Sequence, residues 1–346
     1  MATKLEERIE IALPEGFTVR GATLEDVEAS LEMYNLWAQR VIGEDEINDA
    51  AAIRNEWISP EFDPAEDIRL VFAPDGTLVG YIEAWTNGKY PVHPWLWGRV
   101  HPDYSGLGIG SWMLTWAEKR AMRVLDKVPA DLRFAPRVGI YSQAKESQKL
   151  FRGFGYQYIR SSYRMMIDLH APPPDPVWPQ GLTIRTYNPD TDARAVYLAD
   201  QDVFRDHFGF VEEPLEEGLE RFIHLLTEYD GFDPSLWWLA LDGDEIAGIC
   251  LCRPYAYEDP DLGHVNILGV RRPWRKRGLG LAFLHNAFGE FYRRGKRKAG
   301  LGVDAENLTG ALRLYEKAGM RVHMQMDTFE KELRPGREIS VQSLGD

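Results

Sequence analysis

The sequence predicts an α+β protein made of two tandem copies of one domain. A proline-dense break falls near the middle of the 346 residues, the same elements follow in the same order on each side, and matching residues keep a nearly constant separation. The break is Ala171-Pro-Pro-Pro-Asp-Pro-Val-Trp-Pro179. Closely spaced prolines block helix interiors and sheet pairing, so this stretch reads as an extended, stiff connector. It divides an N-terminal domain over 1–170 from a C-terminal domain over 181–346, with 171–180 as linker. Each copy then has an ordinary domain size.

Each copy opens with a short alternating strand, Phe17-Thr-Val-Arg20 and Leu182-Thr-Ile-Arg185, followed by a polar, Asp-containing helix start. A hairpin comes next. In the first copy Arg69–Ala73 turns through Asp75-Gly76 into Thr77–Ile82; in the second Trp237–Leu241 turns through Asp242-Gly243 into Glu245–Ile249. Asp-Gly between apolar runs is a hairpin signal because both residues tolerate positive φ. The third shared block is a strand, a glycine turn and an amphipathic helix, with Gly108 and Gly110 matching Gly278 and Gly280 at a separation of 170. The fourth is a strand and a helix ending in glycine, Leu150-Phe-Arg-Gly-Phe-Gly155 against Leu314-Tyr-Glu-Lys-Ala-Gly319, separated by 164. Repetition of element order at such a period is the mark of a duplication.

Composition narrows the function. Against 40 basic residues stand 54 acidic ones, and a net charge of -14 opposes binding to nucleic acid or to an anionic membrane surface. It suits a cationic partner such as an amine. No apolar run reaches the ~18 residues a membrane span needs, and the charged start, Met1–Glu10, has no apolar signal-peptide core. The two cysteines, Cys250 and Cys252, alternate onto one face of a strand as core residues and are too few for a closed metal site. A reducing, cytoplasmic compartment and no metal are therefore expected.

The chemistry resides in one segment. Asn266–Val270 reads as a strand, Arg271–Arg277 as a basic loop and Gly278-Leu-Gly280 as a turn, and the helix that follows buries Leu281, Leu284, Phe288 and Phe291. A strand passing through glycines into a helix aims free N–H groups at one point, at the positive end of the helix dipole, and so forms a phosphate or pyrophosphate site. Gly278 and Gly280 are expected to keep Cβ atoms away from the phosphates. The dinucleotide fingerprint G-x-G-x-x-G fails at Phe283, and at Met113 in the first copy. A Walker loop fails because Gly295-Lys296 continues with Arg297.

Arg275-x-x-Gly278-x-Gly280 resembles the [Arg/Gln]-x-x-Gly-x-[Gly/Ala] acyl-CoA loop of the GNAT acetyltransferase superfamily. Val303–Asn307 followed by Ala311–Gly319 resembles that superfamily's last strand–helix block. The tandem layout is similar to the two-domain architecture of the mycothiol synthases. The resemblance implies two GNAT-like domains, each a mixed, mostly antiparallel sheet flanked by helices. It also implies acetyl-CoA as acyl donor and direct attack by a primary amine through a tetrahedral intermediate. Leu268, Gly269 and Val270 would border a splayed strand edge, with the Val270 N–H polarising the thioester carbonyl. Arg275, Lys276, Arg277, Gly278, Leu279 and Gly280 would cradle the pyrophosphate. Arg271 and Arg272 either add attraction or are simply solvated. Tyr315 would donate to the departing sulfur, and Asn307 would either fix the pantetheine arm or cap a helix. His264 is the candidate base, because six strand residues separate it from Val270 and alternation puts both on one face. Glu258, Asp259 and Asp304 are the other candidates.

The first copy departs from this pattern. Ser105 replaces Arg275, Phe151 replaces Tyr315, Gln143 replaces Asn307, and at the 170 spacing Pro94 replaces His264. Lacking these groups, it is expected to be degenerate and structural. The acceptor is a small-molecule or peptide amine, met by the variable regions Asp200–Tyr229 and Tyr255–Gly263, and the chain is expected to be a monomer or weak dimer. The competing reading is a non-catalytic acyl-CoA-binding regulatory protein, which the presence of Tyr315, Asn307 and His264 in the second copy opposes.

Overall fold

A computed structural model describes residues 11–47, 49–228, 231–256, 259–306 and 310–342. The chain forms two compact units, and neither is a continuous stretch. Unit 1 takes the chain up to Gly139, then Gln143–Gln157 and Phe329–Gly336; unit 2 takes Ile140–Ser142, Tyr158–Thr328 and the chain from Arg337.

In chain order the first half supplies β1 (Thr18–Arg20), α1 (Val27–Val41), α2 (Ala50–Trp57), α3 (Pro64–Asp67), β2 (Ile68–Phe72), β3 (Leu78–Trp85), β4 (Trp95–Val100), α4 (Ile109–Met122), β5 (Arg137–Tyr141), α5 (Lys145–Gly153) and β6 (Gln157–Asp168). In unit 1, β1 to β4 pair antiparallel in sequence order, and β5 joins β4 in parallel. Helices cover both faces. A Cβ on Gly80 would strike Ile109 and Met113 of α4, whereas Arg99, of opposite parity, stacks on Trp37 of α1.

The second half supplies β7 (Thr183–Thr186), α6 (Ala193–Phe204), α7 (Leu215–Thr227), β8 (Trp237–Asp242), β9 (Glu245–Arg253), β10 (Leu262–Val270), α8 (Leu279–Arg293), β11 (Lys298–Asp304), α9 (Ala311–Lys317) and β12 (Arg321–Glu330). The strand order in unit 2 is β12-β6-β11-β10-β9-β8-β7. Strand β6, which precedes the proline run, thus lies inside unit 2. It pairs with β11 from Asp168↔Lys298 to Ser162↔Asp304.

Both predicted hairpins are present. Asp242 pairs with Glu245 around Gly243 at φ +60°, and Phe72 pairs with Leu78 around Gly76 at φ +88°. Strand β9 is buried from Ile246 to Arg253 because helices cover both of its faces, so it reads as an unbroken apolar run. On one face, Cβ atoms added to Gly248 or Gly263 would meet Leu279, Phe283 and Phe291 of α8. On the other face a Cβ on Gly269 would meet Val203 of α6 at 2.4 Å. Cys250 and Cys252 are buried free thiols with sulfurs 3.7 Å apart.

Because the β-branched side chain of Val203 presses on Gly269, Gly269→Ala overpacks the contact of α6 with β10. A loss of about 1–3 kcal/mol is expected, read as a lower urea midpoint at an unchanged slope.

Candidate active site

The site begins where two strands part. β10 and β11 pair in parallel for only three residues, Leu262↔Lys298, Gly263↔Ala299 and His264↔Gly300. β10 then runs on to Val270 and β11 to Asp304. At ~3.3 Å per residue the opened edge of β10 is about 20 Å long. The Arg271 N–H donates to the Ala247 carbonyl at 3.0 Å, toward β9. Strand alternation therefore turns the peptide groups of Leu268 and Val270 the other way, into the opened edge.

At the head of this edge lies the glycine turn. Lys276 and Gly278 adopt left-handed φ values of +63° and +88°, and α8 starts at Leu279. Among the described residues, none accepts a hydrogen bond from the backbone N–H of Lys276, Arg277, Gly278, Leu279, Gly280 or Leu281. Six free amides at a helix N-terminus form an anion nest. Gly278 is required by its backbone angle. Gly280 has a packing reason besides: a Cβ there would lie 2.9 Å from Leu314, so the residue lets α9 approach α8.

Most of the loop's cations are already engaged. Arg271 donates to Asp202 at 2.7 Å, and Arg272 pairs with Asp206. Arg275 donates through Nε to the Val270 carbonyl at 2.9 Å, and its Nη1 lies 3.6 Å from Asp206. Arg277 donates to the Gln180 carbonyl at 2.9 Å. Arg275 therefore braces the strand end beside the nest, while Lys276 is exposed. Nothing in the letters signals the pairing of Asp202 and Asp206 with a loop nearly seventy residues away.

Tyr315 is 7% exposed, packed in the core of unit 2 on the α8 side of the sheet. Burial, with the Cys250 thiol beside it, pushes its hydroxyl up to about 12. No described residue bonds that hydroxyl. The reading of His264 needs correction. A β-bulge between Val265 and Ile267 inserts an extra residue, so His264 pairs with Arg253 while Val270 pairs with Gly248. Val270 faces α8, and His264 faces α6. Its Nδ1 is buried without a partner. Burial first, then the charges of Arg253 and Arg164, push the imidazole down to about 3, so it is neutral at pH 7.

Of the other candidate bases, Asp304 receives Arg160 at 2.6 Å and the Glu306 N–H at 2.9 Å, and Asp259 receives Lys298 at 3.1 Å. Asn307 and Glu258 lie outside the described residues.

Unit 1 repeats the geometry, with Ser105, Gln143 and Phe151 where unit 2 has Arg275, Asn307 and Tyr315. β4 pairs with β5 only at Trp95↔Arg137 and Leu96↔Val138. Gly106 and Gly108 have φ values of +82° and +84°, and no described residue accepts from the N–H groups of residues 106–111. A cleft of about 950 Å³ runs past the parted strands and this loop to Gln143 and Phe151. The bulge also changes the correspondence. β4 has none, so the register makes Trp95, not Pro94, the first copy's equivalent of His264.

Residues 30–156 and 181–320 each match the Acetyltransferase (GNAT) family. The chain belongs to that family. A GCN5-related N-acetyltransferase from Sphaerobacter thermophilus is 34% identical, with a TM-score of 0.79 covering 96% of this chain and 100% of that one. A tandem GNAT protein from the clavulanic acid biosynthesis pathway has the same fold at 16% identity, TM-score 0.68, covering 93% and 100%. A mycothiol acetyltransferase of Thermobispora bispora is 29% identical over 64% of this chain and 70% of its own length. The protein is an acyl-CoA-dependent acetyltransferase with acetyl-CoA as its acyl donor. No described helix of this acetyltransferase is long and apolar enough to cross a membrane.

The depressed imidazole sets a pH dependence. Below ~6.5 the unfolded chain binds a proton at His264 that the folded enzyme does not take up until pH falls to about 3. Stability therefore falls with pH through this window, by up to ~1.4 kcal/mol per unit. Urea unfolding of His264→Gln is expected to show a flatter acid limb than wild type.

Proposed function

We propose that unit 2 transfers the acetyl group of acetyl-CoA to a small-molecule primary amine, and that unit 1 holds no catalytic machinery. The observation that carries this reading is the row of six free amides at the end of the parted edge, with Tyr315 buried on the same side of the sheet. The diphosphate lies in the nest of residues 276–281, with Lys276 as the cation left for it. The pantetheine arm pairs along the Leu268–Val270 edge, or is fixed by Asn307. The mycothiol acetyltransferases among the relatives support a small amine over a peptide.

The neutral amine attacks the thioester carbon. Negative charge gathers on the carbonyl oxygen, where the Val270 N–H is worth about 3 kcal/mol in the transition state. The attacking nitrogen gives up its second proton to water, and collapse of the intermediate breaks the C–S bond and leaves charge on sulfur, which takes up a proton from solvent on release as the thiol. From a hydroxyl at about 12 to a thiol at ~8.5, full proton transfer is uphill by about 5 kcal/mol. Tyr315 therefore acts chiefly as a strong hydrogen-bond donor to the sulfur. A neutral imidazole so reluctant to ionise is a weak base. His264 lies about 20 Å along the strand from Val270, and accordingly takes part only as a hydrogen-bond acceptor at the far end of a chain of waters that carries the ammonium proton to solvent. The reaction takes place in the cytoplasm.

Tyr315→Phe is expected to lower kcat by about 10- to 100-fold with an unchanged KM for acetyl-CoA, measured by free-thiol release. Equal rates for variant and wild type would remove Tyr315 from the mechanism. The cleft and free amides of unit 1 favour a second reading for that unit alone, acyl-CoA binding without transfer. Titration calorimetry is expected to give two acetyl-CoA sites per chain, reduced to one by Gly108→Asp.

A further inference from the structure

Three buried carboxyls are described in unit 2: Asp192, Asp200 and Asp327. Asp192 is paired with Arg185 at 2.5 Å, and Asp327 accepts from Ser161 at 2.8 Å and Gln325 at 2.7 Å. Asp200, 8% exposed, has only the Gln201 amide at 3.5 Å, and its Oδ1 has no donor at all. Acids nearby are spoken for: Asp202 by Arg271, Asp206 by Arg272 and Glu213 by Arg221. A buried carboxyl left unsatisfied costs stability, and folds retain such groups chiefly where a ligand uses them.

Its position can be read from three contacts. Asp202 meets Arg271 and Asp206 meets Arg272, so the C-terminal end of α6 lies beside the C-terminal end of β10. Val203 stands against Gly269. Asp200 shares the helical face of Val196 and Val203, one turn back. It therefore lies against the sheet short of Gly269, on the face toward which the bulge turns His264. The described residues of unit 2 leave two buried side-chain polar atoms without partners, Asp200 Oδ1 and His264 Nδ1. Both are on this face.

We infer that Asp200 is the anion that receives the acceptor's ammonium group, holding a cationic primary amine beside the thioester edge of β10. The inference rests on the reading of unit 2 as the transferase. An ammonium entering this face brings the charge and the N–H donors that Asp200 lacks. Dehydration pushes the empty carboxyl up to about 7, so near neutral pH the empty site is divided between acid and carboxylate, and an arriving cation draws it to the carboxylate. Asp200 touches the substrate; His264 meets the water that leaves with the proton.

The test uses the full chain saturated with CoA, and thermal shift with glucosamine, ethanolamine and tyramine as probes, N-acetylglucosamine serving as the uncharged control. Wild type is expected to gain several degrees with at least one amine and nothing with the control. Asp200→Asn is expected to lose that gain, or to need at least tenfold more amine, while keeping the full shift produced by CoA. Its own Tm should equal or exceed that of wild type, because an isosteric amide carries no buried charge. An equal amine response in wild type and Asp200→Asn overturns the inference, as does a wild type that answers CoA but no amine, or answers the uncharged control equally. Failure of CoA to raise Tm in either protein overturns the donor assignment instead.

Discussion

Past His264 the edge of β10 has no neighbouring strand, and backbone amides must find partners somewhere. Within a sheet the next strand supplies them; here β11 has turned away, and the turn that follows adds six further N–H groups with no partner among the described residues. Such groups are tolerated only where water or a ligand meets them. A thioester cofactor that carries amides along its arm and a diphosphate at its end offers both kinds of partner in the right sequence. The unfilled edge is thus the element around which the rest of unit 2 is arranged: α8 begins at it, α9 packs on it through Gly280, and Arg275 fixes its last carbonyl.

The bulge at Asn266 gives this arrangement two sides. Val270 and Tyr315, to which the proposed reaction gives the donor chemistry, belong to the α8 face. His264 and Asp200 belong to the α6 face. Since the strands have parted, groups on opposite faces of the sheet can act on one reacting centre lying in the gap. An enzyme that must bring an anionic cofactor and a cationic amine together gains from this separation, because neither substrate has to pass through the other's binding surface.

Much of this was legible in the sequence, and the reasons are local. The two Asp-Gly hairpins, the glycine turn and the amphipathic helix behind it are set by residues within a few positions of one another, so the letters carry them. The inward face of Tyr315 follows from helical spacing alone. What escaped notice depends on pairing across the sheet. One extra residue in β10 reverses every facing before it, which a count of six residues between His264 and Val270 cannot detect, and it also moves the first copy's counterpart from Pro94 to Trp95. The packing demand on Gly280 could not be read because its partner, Leu314, is distant in sequence. The carboxylates of α6 that neutralise the basic loop were invisible for the same reason.

The two units also differ from the expected division at the prolines in one respect. β6 comes from before the proline run yet sits beside β11, and Phe329–Gly336 comes from the end of the chain yet belongs to unit 1, where Arg133 and Arg137 hold Glu330 and Lys331 reaches Glu118. A gene cut at the linker would therefore yield two incomplete proteins, one missing an interior strand and the other missing Glu330, the partner of Arg133 and of the buried Arg137. Recombination can exchange whole copies between tandem relatives only if it carries these pieces along. The first copy is in this way made indispensable to the second: its last strand is a structural part of unit 2, and selection on either copy maintains both.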